Sequence, residues 1–236
     1  MARKTIIRSN ERGRTDISWL ESKHTFSFGG YRNPERDHFR SLRVINDDIV
    51  LGGGGFDTHP HKNMEIITYV LSGALTHKDS LGSEEILRPG EVQRMSAGTG
   101  IFHGEWNASE TDPVHLLQIW ITPHTNGDTP RYEQRIISPN SECTLCISRD
   151  GRNNTLSINQ DCDMFQIHLG EGKTHSLEIP QDEAGFIHLI SGKAEVTLSS
   201  DSETLLSTGD AIAFEDCKTA IITAKEPIHA LFFQLL

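Results

Sequence analysis

Apolar residues along this chain come in short runs punctuated by Gly, Pro, Asn and Asp, the pattern of strands joined by turns. Ile66-Ile67-Thr68-Tyr69-Val70-Leu71 is rich in β-branched and aromatic residues and reads as a strand. Ser72-Gly73 turns it, and Ala74 to Asp79 returns. Glu84 to Leu87, Val92 to Ser96 and Leu116 to Ile121 are further strands, with Pro89-Gly90 as a turn between the first two. Upstream, residues 5–50 hold short pieces without a long helical period. Gly29-Gly30 and Asn33-Pro34 punctuate them, and Ser41 to Asn46 alternates like a strand. Asn46-Asp47-Asp48 reads as a turn before Ile49-Val50-Leu51, which makes this piece a predicted hairpin. Residues 122–133, with Pro123, Asn126-Gly127-Asp128 and Pro130, read as a linker. Short strands at this spacing predict an all-β protein of the sandwich or jelly-roll kind.

The second half of the chain repeats the first. Leu71-Ser72-Gly73 matches Ile190-Ser191-Gly192, and Pro89-Gly90-Glu91 matches Thr208-Gly209-Asp210. The two glycines lie 17 residues apart in each half, and the halves are offset by 119 both times. Glu84-Glu85-Ile86-Leu87 and Glu203-Thr204-Leu205-Leu206 share that offset. A repeat this long means two copies of one domain rather than a solenoid. The expected division is 1–130 and 131–236, two tandem jelly-roll barrels.

Chemistry concentrates in the first copy. In a strand, residues i and i+2 share a face. His59 and His61 therefore project together from one strand, and His103 and Glu105 from another. If these strands face each other across a small barrel, three imidazoles and a carboxylate converge, a donor set for a divalent transition metal with open positions. On the 119-residue offset His59 maps to Glu178, His61 to Pro180, His103 to Ile222 and Glu105 to Ala224. The second copy thus keeps the skeleton without the ligands, so the fold does not need metal and the first-copy set reads as functional. Glu65 competes with Glu105 as carboxylate ligand. Four residues of straight strand separate it from His61 by about 13 Å, which favours Glu105. Gly52 to Gly55 precede the histidines. No Gly-Lys-Ser/Thr follows, so a phosphate loop is excluded, and the run reads as a sharp bend passing close to the neighbouring site.

Other candidates have plainer readings. Cys143-x-x-Cys146 lies in a strand, where i and i+3 face opposite ways, and no second such pair exists. Cys162 and Cys217 read as ordinary thiols. His77, His115 and His124 read as satisfied or solvated, and His24 and His38 have no assigned partner. Asp79, Glu84, Glu85 and Glu91 read as a solvated face. Phe56, Met64 and Phe102 are expected to line an apolar interior.

Bulk properties narrow the function. The net charge of −11 offers no basic footprint for nucleic acid. No apolar run is long enough to span a bilayer, and no apolar stretch of signal-peptide type follows Met1-Ala2-Arg3-Lys4-Thr5. Four Cys in 236 residues do not make a disulfide framework. A cytoplasmic monomer is the expectation.

Several stretches together resemble the pirin family of bicupins. They include His59-Pro60-His61 with Glu65, the Gly73 turn, and Met95-Ser96-Ala97-Gly98-Thr99-Gly100-Ile101-Phe102-His103-Gly104-Glu105. The bacterial branch is further marked by Trp19-Leu20, His24 to Phe28, Leu42 to Asp48, Gln118-Ile119-Trp120 and Pro130 to Glu133. The resemblance covers nearly the whole chain and is poor in motifs after about residue 150. Unlike the wider cupin pattern, the carboxylate here pairs with His103 rather than following the His-x-His. What the resemblance implies is one metal held by His59, His61, His103 and Glu105, most simply Fe(II), with Mn, Ni, Cu or Zn also accepted by such donors. It also implies a second cupin without metal. The activity implied is that of quercetin 2,3-dioxygenase-type enzymes (flavonol 2,4-dioxygenases), with a flavonol and dioxygen as substrates and carbon monoxide released. Glu105, or Glu65 from farther out, is then a candidate base. Vertebrate members, which act as transcription cofactors, give the alternative of a metal-bearing, redox-sensing module that binds protein without turnover.

Overall fold

The computed structural model describes residues 2–139, 141–199 and 203–236, and nearly all regular structure in them is β-strand. The chain divides into two compact units. One comprises Gly13–Ser138 with Leu156–Gln160, and the other Met1–Arg12, Pro139–Thr155 and Asp161–Leu236. These bounds differ from 1–130 and 131–236 at both ends. The strand Arg3–Ile7 pairs with Ala211–Glu215, so the N-terminus completes the later unit's sheet. Residues 131–133, expected at the end of a linker, instead begin the strand Arg131–Ile136 on the edge of the earlier unit's sheet, paired with Glu91–Ser96.

The earlier unit has two sheets. The larger runs in the order Arg131–Ile136, Glu91–Ser96, Glu65–Ser72, Val114–Ile121, Leu42–Val50, Leu20–His24, Gly13–Ile17. The smaller runs Gly55–His61, Ile101–Asn107, Leu75–Asp79, Glu84–Leu87. Leu42–Val50 is one continuous strand, not the expected hairpin. Asp47 and Asp48 both take part in the ladder, Asp47 meeting His115 at 2.6 Å on one face while Asp48 is buried on the other. Each aspartate has a place to go, and that overrides the turn preference of the residue type.

The later unit repeats this plan. Its smaller sheet runs Thr174–Glu178, Thr219–Ala224, Lys193–Leu198, Thr204–Ser207. The strand Ala184–Ser191 lies 119 residues after Glu65–Ser72 at both ends. The matched turn glycines Gly73 and Gly192 have φ of 77° and 87°, and Gly90 and Gly209 have 88° and 81°. All four sit where a β-carbon is disfavoured, which is why glycine recurs at these positions.

The units differ inside. The later one is filled by Leu177, Ile179, Phe214, Ile222, Ala224 and Phe232, all buried in one apolar cluster. In the earlier unit the corresponding space is a cavity lined by imidazole and other polar side chains together with Leu20, Phe28, Phe56, Ile66 and Trp120. Two smaller apolar clusters of this unit lie around Val50, Val70 and Leu116 and around Ile66, Met95 and Ile101.

Candidate metal centre

The strands bearing the candidate ligands are neighbours in one sheet rather than partners across the barrel. Ile101–Asn107 pairs antiparallel with Gly55–His61, and His103 lies directly opposite His59. His61, two residues on, shares their face, so the three rings cluster with centroids 4.5 to 4.9 Å apart. Their ligating nitrogens lie within 4.8 Å of one another. The register shifts between His103 and Glu105, which faces Phe56 rather than Asp57. Such a bulge bends the strand and re-aims its side chains. Beside it the Asp57 carbonyl accepts a hydrogen bond from His59 Nδ1 at 2.6 Å, which leaves Nε2 for the cluster. The strand enters the site from the Gly98-Thr99-Gly100 turn, where Gly98 has φ of 46° and a β-carbon would meet the Asp128 carbonyl at 2.1 Å. The Gly52 to Gly55 run passes close to Trp19, Trp106 and the backbone of Glu110, and at Gly55 to the backbone oxygen of Glu105, where a β-carbon would come within 2.7 Å.

His103 is 1% exposed, and neither of its ring nitrogens has a hydrogen-bond partner. Orphaned buried nitrogens cost free energy unless something binds them. Burial, and then the neighbouring imidazoles, push His61 down to about 4. Burial likewise lowers His103 to about 4, against the pull of Glu105. Both rings are therefore neutral near pH 7, the form that binds a metal. For Glu105, burial alone would raise the pKa, but His77, His103 and Thr68 hold it at about 2. Neutral imidazoles beside an ionised carboxylate fit a divalent transition metal.

Glu105 is held from beneath by the larger sheet. Gln118 Nε2 donates to it at 2.6 Å, Thr68 Oγ1 at 3.0 Å and Gln93 Nε2 at 3.4 Å. These three side chains belong to one row across that sheet, since Gln93 pairs with Thr68, Thr68 with Gln118, Gln118 with Asn46 and Asn46 with His24. Each of these residues occupies the inward parity of its strand, so a barrel interior that could have been apolar carries a polar ladder.

His77 and Asp79 belong to the same assembly: His77, read as satisfied or solvated, is buried and bonded to Asp79, and Asp79 is buried, contrary to its reading as part of a solvated face. They lie on the inner face of Leu75–Asp79, opposite Glu105 and His103 respectively. His77 Nε2 is 3.1 Å from Asp79, and Nδ1 is 3.9 Å from Glu105. Burial alone would lower His77, but the two carboxylates outweigh it and raise its pKa. Asp79 also accepts from the backbone amides of Leu81 and Ser83, at 2.8 and 3.1 Å. The signal was available: His77-x-Asp79 has the same i, i+2 parity as His59-x-His61. His77, His103 and Glu105 form a second tight group of donor atoms.

Glu65 lies elsewhere. Its neighbours Ile66 and Thr68 face the site, so Glu65 points to the opposite side of the sheet, where it accepts from Ser96 Oγ at 2.7 Å. Burial raises its pKa, against Ser96 and the Arg94 charge. The residues Lys62 to Met64, with Asn63 at φ 50°, break the parity that straight-strand counting assumes. Glu65 thus sits on the far face of the sheet from the imidazole cluster, bonded to Ser96.

A cavity of about 320 Å³ opens onto the cluster, lined by His59, His61, His103 and Glu105 together with Phe28, Phe56 and Trp120. Phe56 is on its wall as expected. Phe102 is 55% exposed and points away, and Met64 packs against the Ile66 cluster. His24 also lines the cavity, with Thr15 Oγ1 and Asn46 Oδ1 each 2.8 Å from a ring nitrogen. Cys143 and Cys146 are free thiols pushed by burial up to about 11 and about 12, so they are not reactive thiolates. Among the described residues no second cluster of metal-type donors occurs in the later unit.

Two barrels of one plan, one with an imidazole–carboxylate centre and one filled with apolar side chains, define a bicupin of the metal-binding kind. The family models agree: Pirin matches residues 7–121, and the quercetinase C-terminal cupin domain matches residues 145–235. The chain is 42% identical over 230 residues to quercetin 2,3-dioxygenase of Escherichia coli K12, covering 98% of this chain and 97% of that protein. The crystal structure of YhhW from Escherichia coli superposes with a TM-score of 0.95 at 40% identity, covering 99% and 98% of the two chains. The same bacterial pirin in complex with nickel(II) gives 0.94 at 41% identity, covering 99% of each. This chain belongs to the pirin family.

Proposed function

We propose that this protein is a metal-dependent dioxygenase that opens the heterocyclic ring of flavonols such as quercetin and releases carbon monoxide. The observation that carries this reading is the cavity, in which the imidazole–carboxylate cluster meets a partly aromatic pocket large enough for a small planar molecule. Relatives along the full length named quercetin 2,3-dioxygenase support the substrate class. His59, His61, His103 and Glu105 are the ligands we assign. Fe(II) is the metal we assign. The nickel(II) in the Escherichia coli pirin shows that a related protein binds a late first-row ion.

A divalent metal bound there supplies a Lewis-acid centre that lowers the pKa of a coordinated hydroxyl and orients the reactants. The chain's residues do the rest. Glu105, with its three donors, stays anionic and fixed, and its low pKa makes it a poor proton acceptor. Its role in this reading is to set charge, not to act as the base. Trp120 and Phe28, 5.4 Å apart edge to face, wall the pocket and exclude water from the reacting ring. In the overall reaction both atoms of dioxygen enter the ester product, and one ring carbon leaves as carbon monoxide.

The test is metal analysis of the purified protein, followed by oxygen uptake and carbon monoxide release when quercetin is added to the iron-loaded form. Stoichiometric uptake and release support the reading. A fully loaded protein that shows neither returns the function to a sensing or protein-binding role.

A further inference from the structure

The cavity has a second polar end that the metal chemistry does not use. Ser22, His24, Asn46 and Asp48 line it and are 4%, 2%, 3% and 3% exposed. Thr15, Ser22 and Asp48 sit side by side in register across three strands, Thr15 opposite Ser22 and Ser22 opposite Asp48. The next row, His24 opposite Asn46, lies one pair farther along. Across the same sheet, Thr68 beneath Glu105 is two strands from Asp48 and one pair along, a separation of about 12 Å.

An aromatic wall joins the two ends. His24 and Phe28 have centroids 5.3 Å apart, Phe28 and Trp120 5.4 Å, and Trp120 and His61 4.9 Å. A ligand that spans the cavity therefore meets polar groups at its two ends and ring faces and edges between them. Rigid molecules of linked aromatic rings with oxygens at both extremities have this shape and polarity. A buried carboxylate and a hydroxyl at the remote end suit hydroxyl donors, whereas an anionic group there would face Asp48.

We propose that Asp48, with Ser22 beside it, is the specificity subsite of the cavity. It accepts hydrogen bonds from phenolic hydroxyls on the ring farthest from the metal-facing oxygens, so the preferred ligands are polyphenols hydroxylated at both ends. This rests on the flavonol reading above and adds to it which flavonols are chosen and by which residues.

The test is direct binding, followed by quenching of tryptophan fluorescence in the metal-loaded protein. The probes are two flavonols that share the chelating oxygens, one bearing hydroxyls on the remote ring and one bearing none. Wild type is expected to bind the hydroxylated compound at least about tenfold more tightly, the scale of one hydrogen bond to a charged group. Asp48→Asn is expected to remove most of that preference while binding of the unhydroxylated compound stays within about twofold. Ser22→Ala gives a smaller loss of the same selectivity and serves if Asp48→Asn does not fold. Equal affinities in wild type, or equal losses for both compounds in the variants, overturn the subsite. Failure of wild type to bind either compound overturns the flavonol reading itself.

Discussion

Gln118 donates to Glu105 at 2.6 Å from the strand opposite, and this contact ties the smaller sheet's carboxylate to the larger sheet's polar row. It is the shortest of the three bonds from that row, and it bears on the oxygen that Thr68 and Gln93 do not touch. Replacing Gln118 with Leu leaves that buried oxygen without its donor. Metal affinity is expected to fall by about 10- to 100-fold, the usual effect of losing an outer-shell partner. Competition with a chelator of known affinity measures it.

His103 and Glu65 separate two roles. His103→Ala removes the central ring of the cluster, and metal content per chain is expected to drop to near zero. Glu65→Gln acts on the far face of the sheet, where Ser96 links Glu65 to the buried Arg94. It is expected to keep full metal content while lowering stability by about 1–3 kcal/mol, because a buried guanidinium loses compensating charge. Elemental analysis paired with urea denaturation distinguishes the two variants.

Acid should loosen the metal-free protein through His61 and His103. Their ordinary value is 6.5 and their folded values are about 4. Between those limits the unfolded chain binds more protons than the folded one, so stability falls as pH is lowered from about 6.5 to about 4, and these groups add nothing further below that. Denaturant midpoints of metal-free protein at pH 7 and pH 5 are expected to show the decline, and His103→Gln should reduce its slope.

Two glycines test whether close approach or conformation governs the turns. Gly98 and Gly82 both have positive φ, 46° and 96°. A methyl group at Gly98 would strike the Asp128 carbonyl at 2.1 Å, whereas one at Gly82 meets nothing within 4 Å. Gly82→Ala is expected to cost about 1 kcal/mol, the conformational term alone. Gly98→Ala is expected to cost about 3 kcal/mol or more and to weaken metal binding, since this turn sets the entry of the His103 strand. Thermal melting with and without metal reads both effects.

Much of this was legible in the chain itself. The matched glycines announced the duplicated barrel because a positive φ excludes most other residues. The i, i+2 spacing of His59 with His61 and of His103 with Glu105 put each pair on one strand face. The straight-strand count from His61 to Glu65 does not hold, because the turn at Asn63 separates the strands Gly55–His61 and Glu65–Ser72. The turn expected at Asp47-Asp48 failed because a buried polar row and His115 accommodate both carboxylates within a strand.

The sequence alone therefore determined the fold, the presence of a centre in the first copy, and its loss from the second. These follow from local rules of strand parity, turn chemistry and residue type. Only the tertiary structure decided that the two ligand strands lie side by side, that His77 and Asp79 stand behind Glu105, and that Gln118, Thr68 and Gln93 hold that carboxylate from the opposite sheet. It also decided that Ser22, His24, Asn46 and Asp48 share a cavity with the centre. Those relations join residues tens of positions apart through sheet register, and register is fixed by the packing of a whole barrel rather than by any one stretch.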